Sequence, residues 1–168
     1  ASPSGVASTA LPAAILWDLD GALVDTGPLW IAAETALVHS HGGVWTHEDA
    51  LTLVGNSLDE SAAILISRGV NLTPEQLIAT LIEQVNGEVE RLGPQWRPGA
   101  RELVSEAAER GIPQAIVTMS YRVQAETVAA ALPLGAITTI VAGDMVTVGK
   151  PDPEAYLMAA EVLGVPIT

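Results

Sequence analysis

Three short apolar runs punctuate this chain, and each stops at a polar residue. Ala13 to Trp17 ends at Asp18, Gln114 to Val117 ends at Thr118, and Ile137 to Val141 ends just before Gly143-Asp144. Short apolar runs that end in polar loops suit buried strands of a parallel sheet. The segments between them carry helical signals. Trp30 to Val38 has apolar residues at helical spacing. Thr46 reads as the cap of a short helix, and Leu58 to Ile66 is amphipathic. Thr73-Pro74-Glu75-Gln76 has a capping Thr, Pro at the first helical position and Gln three residues after the Thr, which predicts a helix running towards Leu92 with Gly87 as its weak point. Ala100 to Arg110 is helical and stops at Gly111, and Val123 to Leu132 is helical. Glu154 to Leu163 follows, with Asp152 as its expected cap and Pro153 in the first turn.

Alternating strands and helices predict an α/β fold with a doubly wound parallel sheet. After the first strand only helices are expected until about Trp96. The chain therefore divides into a core, residues 1–27 and 96–168, and an inserted all-helical cap, residues 28–95. In such sheets ligands bind beyond the carboxyl ends of the strands. Asp18, Thr118, Asp144 and the approach to Lys150 all fall at or near those ends.

Composition narrows the function. Seven Lys and Arg stand against 20 Asp and Glu, a formal net charge of −13. A nucleic-acid partner is not expected, because few cations are available to displace phosphate counterions. The overall field also repels phosphate-bearing substrates, so any anion site must be made locally positive. The one lysine, Lys150, is therefore informative. There is no cysteine, which excludes disulfides and thiolate metal sites. No apolar run is long enough to cross a membrane. Ala1 to Ala10 lacks the basic start and apolar centre of a signal peptide and reads as a flexible lead-in, so a cytoplasmic enzyme is expected.

Asp18-Leu19-Asp20-Gly21 places two carboxylates two residues apart. If strand geometry continues that far, both point to one side. Close carboxylates repel unless one is protonated or a cation lies between them, and magnesium suits such oxygen ligands. On these four residues alone an ordinary acidic turn is an equal reading.

The surroundings decide between the two. Trp17-Asp18-Leu19-Asp20-Gly21-Ala22-Leu23-Val24-Asp25-Thr26 resembles the first motif of the haloacid dehalogenase superfamily. Ile116-Val117-Thr118-Met119-Ser120 resembles its second motif, and Gly149-Lys150-Pro151-Asp152-Pro153-Glu154 its third. The three stand in family order, with the helical insertion where a type 1 cap belongs, and the resemblance covers nearly everything from Ala13. It implies a phosphatase or β-phosphoglucomutase-like enzyme that forms an aspartyl-phosphate. Asp18 is then the nucleophile and Asp20 the general acid and base. Mg2+ is held by Asp18 and by the backbone carbonyl of Asp20. Thr118 and Lys150 bind and neutralise the phosphoryl group, with Met119 and Ser120 beside them. Asp20 itself separates this pattern from the dehalogenase branch, which has no acid there. The implied substrate is a small phosphorylated metabolite.

The chain departs from the family at two places. Ala22 stands where Thr is usual. The fourth motif, an acidic pair after a further strand, is absent before Thr168. The family's strand order puts that strand beside the first, so the reading is of an incomplete domain whose Asp18 strand has an unpaired apolar edge. An inactive fragment or pseudo-enzyme that binds a partner is the first alternative function. A phosphomutase is the second, disfavoured because Asn56 stands where related mutases carry an Arg for a second phosphate.

Other candidates have two readings each. Gly55-Asn56-Ser57 is either a substrate-specificity loop or a plain turn. Trp30 and Trp45 either line a cleft or pack, with Trp30 the better cleft candidate. Arg122 either approaches the phosphate or lies on a helix surface. Asp25 and Asp144 either line the site or cap loops. His39, His41 and His47 lack matched ligand spacing and read as solvated polar residues.

Overall fold

The computed structural model describes residues 10–167, and the lead-in expected over Ala1 to Ala10 lies, apart from Ala10, outside them. The three apolar runs form one parallel sheet: β1 (Ile15–Trp17), β2 (Gln114–Val117) and β3 (Thr139–Val141), in the order β1-β2-β3. Ile15 pairs with Gln114 and Trp17 with Ile116, while Ala115 pairs with Thr139 and Val117 with Val141. β2 is in the middle and buried along its whole length. Its one polar residue is satisfied. Gln114 Oε1 accepts from the Trp17 indole at 2.7 Å, and its amide donates to the carbonyls of Val104 and Ala136. A buried amide costs little once its hydrogen bonds are made.

Between β1 and β2 lie five helices: α1 (Gly27–Ser40), α2 (His47–Leu51), α3 (Leu58–Ser67), α4 (Pro74–Leu92) and α5 (Ala100–Glu109). After β2 come α6 (Arg122–Ala129), β3, a short 3-10 turn over Gly143–Met145, and α7 (Glu154–Leu163). Capping boxes start α2, α3 and α4: Thr46 with Asp49, Ser57 with Glu60, Thr73 with Gln76. Each satisfies two backbone N–H groups that the first helical turn leaves unpaired. α4 runs unbroken through Gly87. At the start of α7 the backbone cap is Pro153, and Asp152 contributes through its carboxylate, which accepts the Glu154 N–H at 2.9 Å.

Helices cover both faces of the sheet. α5 and α6 pack Val104, Ala125 and Val128 against Ile116. α7 packs Ala155 and Ala159 against Ala115, Val117 and Val141 on the other face. The doubly wound arrangement is thus as expected. α1 to α4 enclose a separate apolar core that includes Leu37, Val38, Trp45, Leu65, Leu77 and Leu81. The chain leaves and re-enters the sheet layer side by side: Asp25 N donates to Gln95 O and Arg97 N to Leu23 O, both at 2.8 Å. No helix among the described residues is long and apolar enough to cross a membrane.

Candidate active site

Extended alternation continues past the end of β1. Asp18 and Asp20 are exposed, and Leu19 between them is buried in the core. Both carboxylates therefore emerge on one side, as the period of a strand requires. Gly21 then takes φ +81, a left-handed value that a side chain would oppose. The loop closes back on itself, with Leu23 N and Val24 N donating to Leu19 O.

Lys150 arrives from a distant part of the sequence. Its ammonium donates to Asp18 Oδ1 at 3.2 Å and to the Val117 carbonyl, at the end of β2, at 2.8 Å. It also lies 5.3 Å from the centre of the Tyr156 ring on α7. The loop that carries it is anchored twice. Lys150 N donates to Met119 Sδ at 3.2 Å. The Glu154 carboxylate accepts from Thr147 N and Val148 N, bonds that draw its pKa below the usual glutamate value.

Asp20 is held by two hydroxyls. Thr26 Oγ1 donates to Oδ1 at 2.6 Å, and Ser120 Oγ donates to Oδ2. Ser120, expected beside the phosphate, thus has its hydroxyl on the acid. Thr26 supplies a hydroxyl to the loop in which position 22 has none. Thr118 is 1% exposed, and its Oγ1 accepts from Ser120 N at 3.0 Å. That leaves its O–H free to donate. Met119 borders the cleft, but its sulfur packs beneath Gly149 and Lys150.

The loops after β2 and β3 are in backbone contact. A Cβ on Gly143 would stand 2.3 Å from the Met119 carbonyl oxygen. Gly143→Ala is expected to cost about 2–4 kcal/mol, a fall in Tm of roughly 5–10 °C, because backbone rather than a flexible side chain must yield. Thermal unfolding followed by circular dichroism measures it.

These loops open into a cleft of about 880 Å³ beneath α1 and the start of α3. Asp18, Asp20, Thr118, Met119, Ser120 and Lys150 line its floor, and Trp30, Asn56 and Asp25 also face it. Asp144 borders the cleft, and its carboxylate accepts the Arg122 N–H at 2.9 Å at the start of α6. Arg122 itself is a helix-surface residue, its guanidinium paired with Glu126 at 2.6 Å. Trp45 is packed in the helical core beneath the Arg68 guanidinium. His39 and His41 bond backbone carbonyls, and no three metal-ligating side chains converge among the described residues.

Sequence reasoning missed several cleft residues, Tyr121, Glu34, Asp59 and Ser61 among them. Tyr121 immediately follows the second motif, and burial, with Asp59 and Asp144 nearby, raises its pKa. Glu34, on α1, is 6% exposed, and burial pushes its carboxyl up to about 7. Folded, it keeps its proton to about pH 7; unfolded, only to about 4.5. Between those values the folded state holds the extra proton, so stability falls as pH rises through that window. Glu34→Gln is therefore expected to stabilise the protein by about 2–3 kcal/mol at pH 8, an advantage that vanishes towards pH 4.5. Urea unfolding at the two pH values reads this directly.

The three motif segments thus meet at the carboxyl ends of β1 and β2 and beside β3. A family model described as haloacid dehalogenase-like hydrolase matches residues 15–167. The chain belongs to the haloacid dehalogenase-like hydrolase family. This hydrolase is 30% identical over 156 residues to the phosphorylated carbohydrates phosphatase of Thermotoga maritima, covering 90% of the chain and 71% of that protein. It is 31% identical over 149 residues to hexitol phosphatase A of Escherichia coli, covering 89% and 68%. Its fold matches CbbY of Rhodobacter sphaeroides in complex with xylulose-1,5-bisphosphate, with a TM-score of 0.80 and 26% identity over 93% of this chain and 74% of that one.

Proposed function

We propose that this hydrolase is a magnesium-dependent phosphatase that releases phosphate from a small phosphorylated carbohydrate through an aspartyl-phosphate on Asp18. One observation carries the reading. The only lysine of the chain puts its ammonium 3.2 Å from Asp18 Oδ1, in a cleft whose other charged residues are all acidic. Positive charge at that one point selects where a phosphate can sit.

An Asp18 oxygen attacks phosphorus, the bond to the leaving oxygen breaks, and a proton from Asp20 passes to that oxygen. Water then attacks phosphorus, Asp20 takes its proton, and the bond to Asp18 breaks to give inorganic phosphate and the free carboxylate. Thr26 and Ser120 hold Asp20 in orientation. Thr118 donates to the phosphoryl oxygens, and Lys150 offsets the charge that Asp18 and the phosphoryl group bring together. Asp18 Oδ2, which accepts no hydrogen bond from a described residue, and the Asp20 carbonyl are the hard oxygen donors that magnesium prefers. Bound there, Mg2+ would neutralise phosphoryl charge. The names of the Thermotoga and Escherichia relatives support a carbohydrate phosphate as substrate.

Phosphate release from hexose and hexitol phosphates, with added magnesium and with excess EDTA, tests the reading. Magnesium-dependent release is expected. No release from any phosphomonoester in a broad panel would overturn it.

A further inference from the structure

The cleft is far larger than a phosphate group needs, and its charge is uneven. Among the described residues Lys150 is the only basic one lining it, and it lies at the floor. The wall formed by α1, α2 and α3 contributes Glu34 and Asp59 together with Asn56, Ser57 and Ser61, and no Lys, Arg or His. Two of these polar side chains are nearly inaccessible: Glu34 is 6% exposed and Ser61 5%. Neither hydrogen-bonds through its side chain to another described residue, and both border the cleft, where a ligand can reach them. Burying Glu34 without a partner destabilises the free protein. A carboxyl group and a hydroxyl in such a wall match a ligand that brings hydrogen-bond donors.

We propose that Glu34, assisted by Ser61, accepts hydrogen bonds from the hydroxyl groups of a polyhydroxylated leaving alcohol, and that this acidic wall makes the enzyme select sugar monophosphates over bisphosphates. The proposal rests on the phosphatase reading and deepens it by naming what fills the far end of the cleft. A second phosphate there would meet Asp59, and above about pH 7 the ionised Glu34 as well, with no cation among the described residues to receive it. A neutral polyol meets acceptors that its hydroxyls can satisfy. Glu34 is thus a specificity residue that acts on the non-reacting end of the substrate.

The test, run at pH 8 where Glu34 is ionised, compares kcat/KM for a hexitol 6-phosphate with that for p-nitrophenyl phosphate, which has no hydroxyl groups on its leaving portion. In Glu34→Gln the ratio is expected to fall about tenfold, and in Glu34→Leu about 100-fold, mostly through KM for the hexitol phosphate. Both variants remove a buried carboxyl, so unfolding does not account for the loss. A wild-type preference for hexitol monophosphate over a hexose bisphosphate of at least about tenfold is also expected. An unchanged ratio in both variants, or a wild-type preference for the bisphosphate, overturns the proposal. Calorimetric titration of hexitol 6-phosphate into Asp18→Asn protein, with and without Glu34→Leu, separates the two readings. If Glu34→Leu abolishes binding while the wild type hydrolyses nothing, recognition stands and the phosphatase reading falls. If p-nitrophenyl phosphate is hydrolysed and Glu34→Leu binds the hexitol phosphate as before, recognition falls and the phosphatase reading stands.

Discussion

Asp18→Asn protein is expected to fold normally and to lose phosphate release by at least about 10⁴-fold, because an amide oxygen cannot form a stable ester with phosphorus. The substitution conserves shape. Leu19 N still finds an oxygen at position 18, and the neighbouring core residue Leu19 is untouched. Thermal unfolding should therefore move little while turnover disappears. A second measurement isolates the covalent step. Wild-type enzyme quenched in acid during turnover of a ³²P-labelled substrate should carry label that hydroxylamine releases, as an acyl phosphate does, and the variant should carry none. Turnover in Asp18→Asn within tenfold of wild type would remove Asp18 from the nucleophile's role.

Lys150→Met carries the second largest effect, a fall in kcat/KM of about 10²–10³-fold. The ammonium does three things at once. It donates to Asp18, donates to the carbonyl that ends β2, and is, among the described residues, the only positive side chain lining a cleft with six acidic ones. Without it, an arriving phosphate meets carboxylates alone, and Asp18 loses its nearest counter-charge. Methionine keeps most of the stem that passes Tyr156, so packing near α7 should survive. Arginine should not restore activity, because a planar fork does not replace a point charge that must also reach the Val117 carbonyl. Full activity in Lys150→Met would show that phosphate is neutralised elsewhere.

The sheet was legible because each strand is a short apolar run between punctuating residues, and a central parallel strand needs no alternation. The helix starts at Thr46 and Thr73 were legible because a capping box is written within four residues. The meeting of Asp18 with Lys150 was legible through the family motifs and through charge, since a single lysine in an acidic chain has few roles. Arg122 was not decidable, because whether a residue four places after Thr118 turns inward depends on where Glu126 lies on the next helical turn. Ser120 was read from the second motif as a neighbour of the phosphate, and the motif does not say where its hydroxyl points. It reaches Asp20, 100 positions away in sequence.

Glu34 marks the division most sharply. Along α1 it sits beside Ala33 and three residues before Leu37, both core residues, so helical periodicity alone assigns it to a buried face without saying what that face meets. The local sequence determined the strands, the helix caps and the left-handed turn at Gly21, because each depends on neighbours within a few residues. Only the tertiary structure decided that α1 and α3 turn Glu34 and Ser61 towards the same cleft as Lys150, because burial is a property of where separate elements pack and not of the order in which they are written.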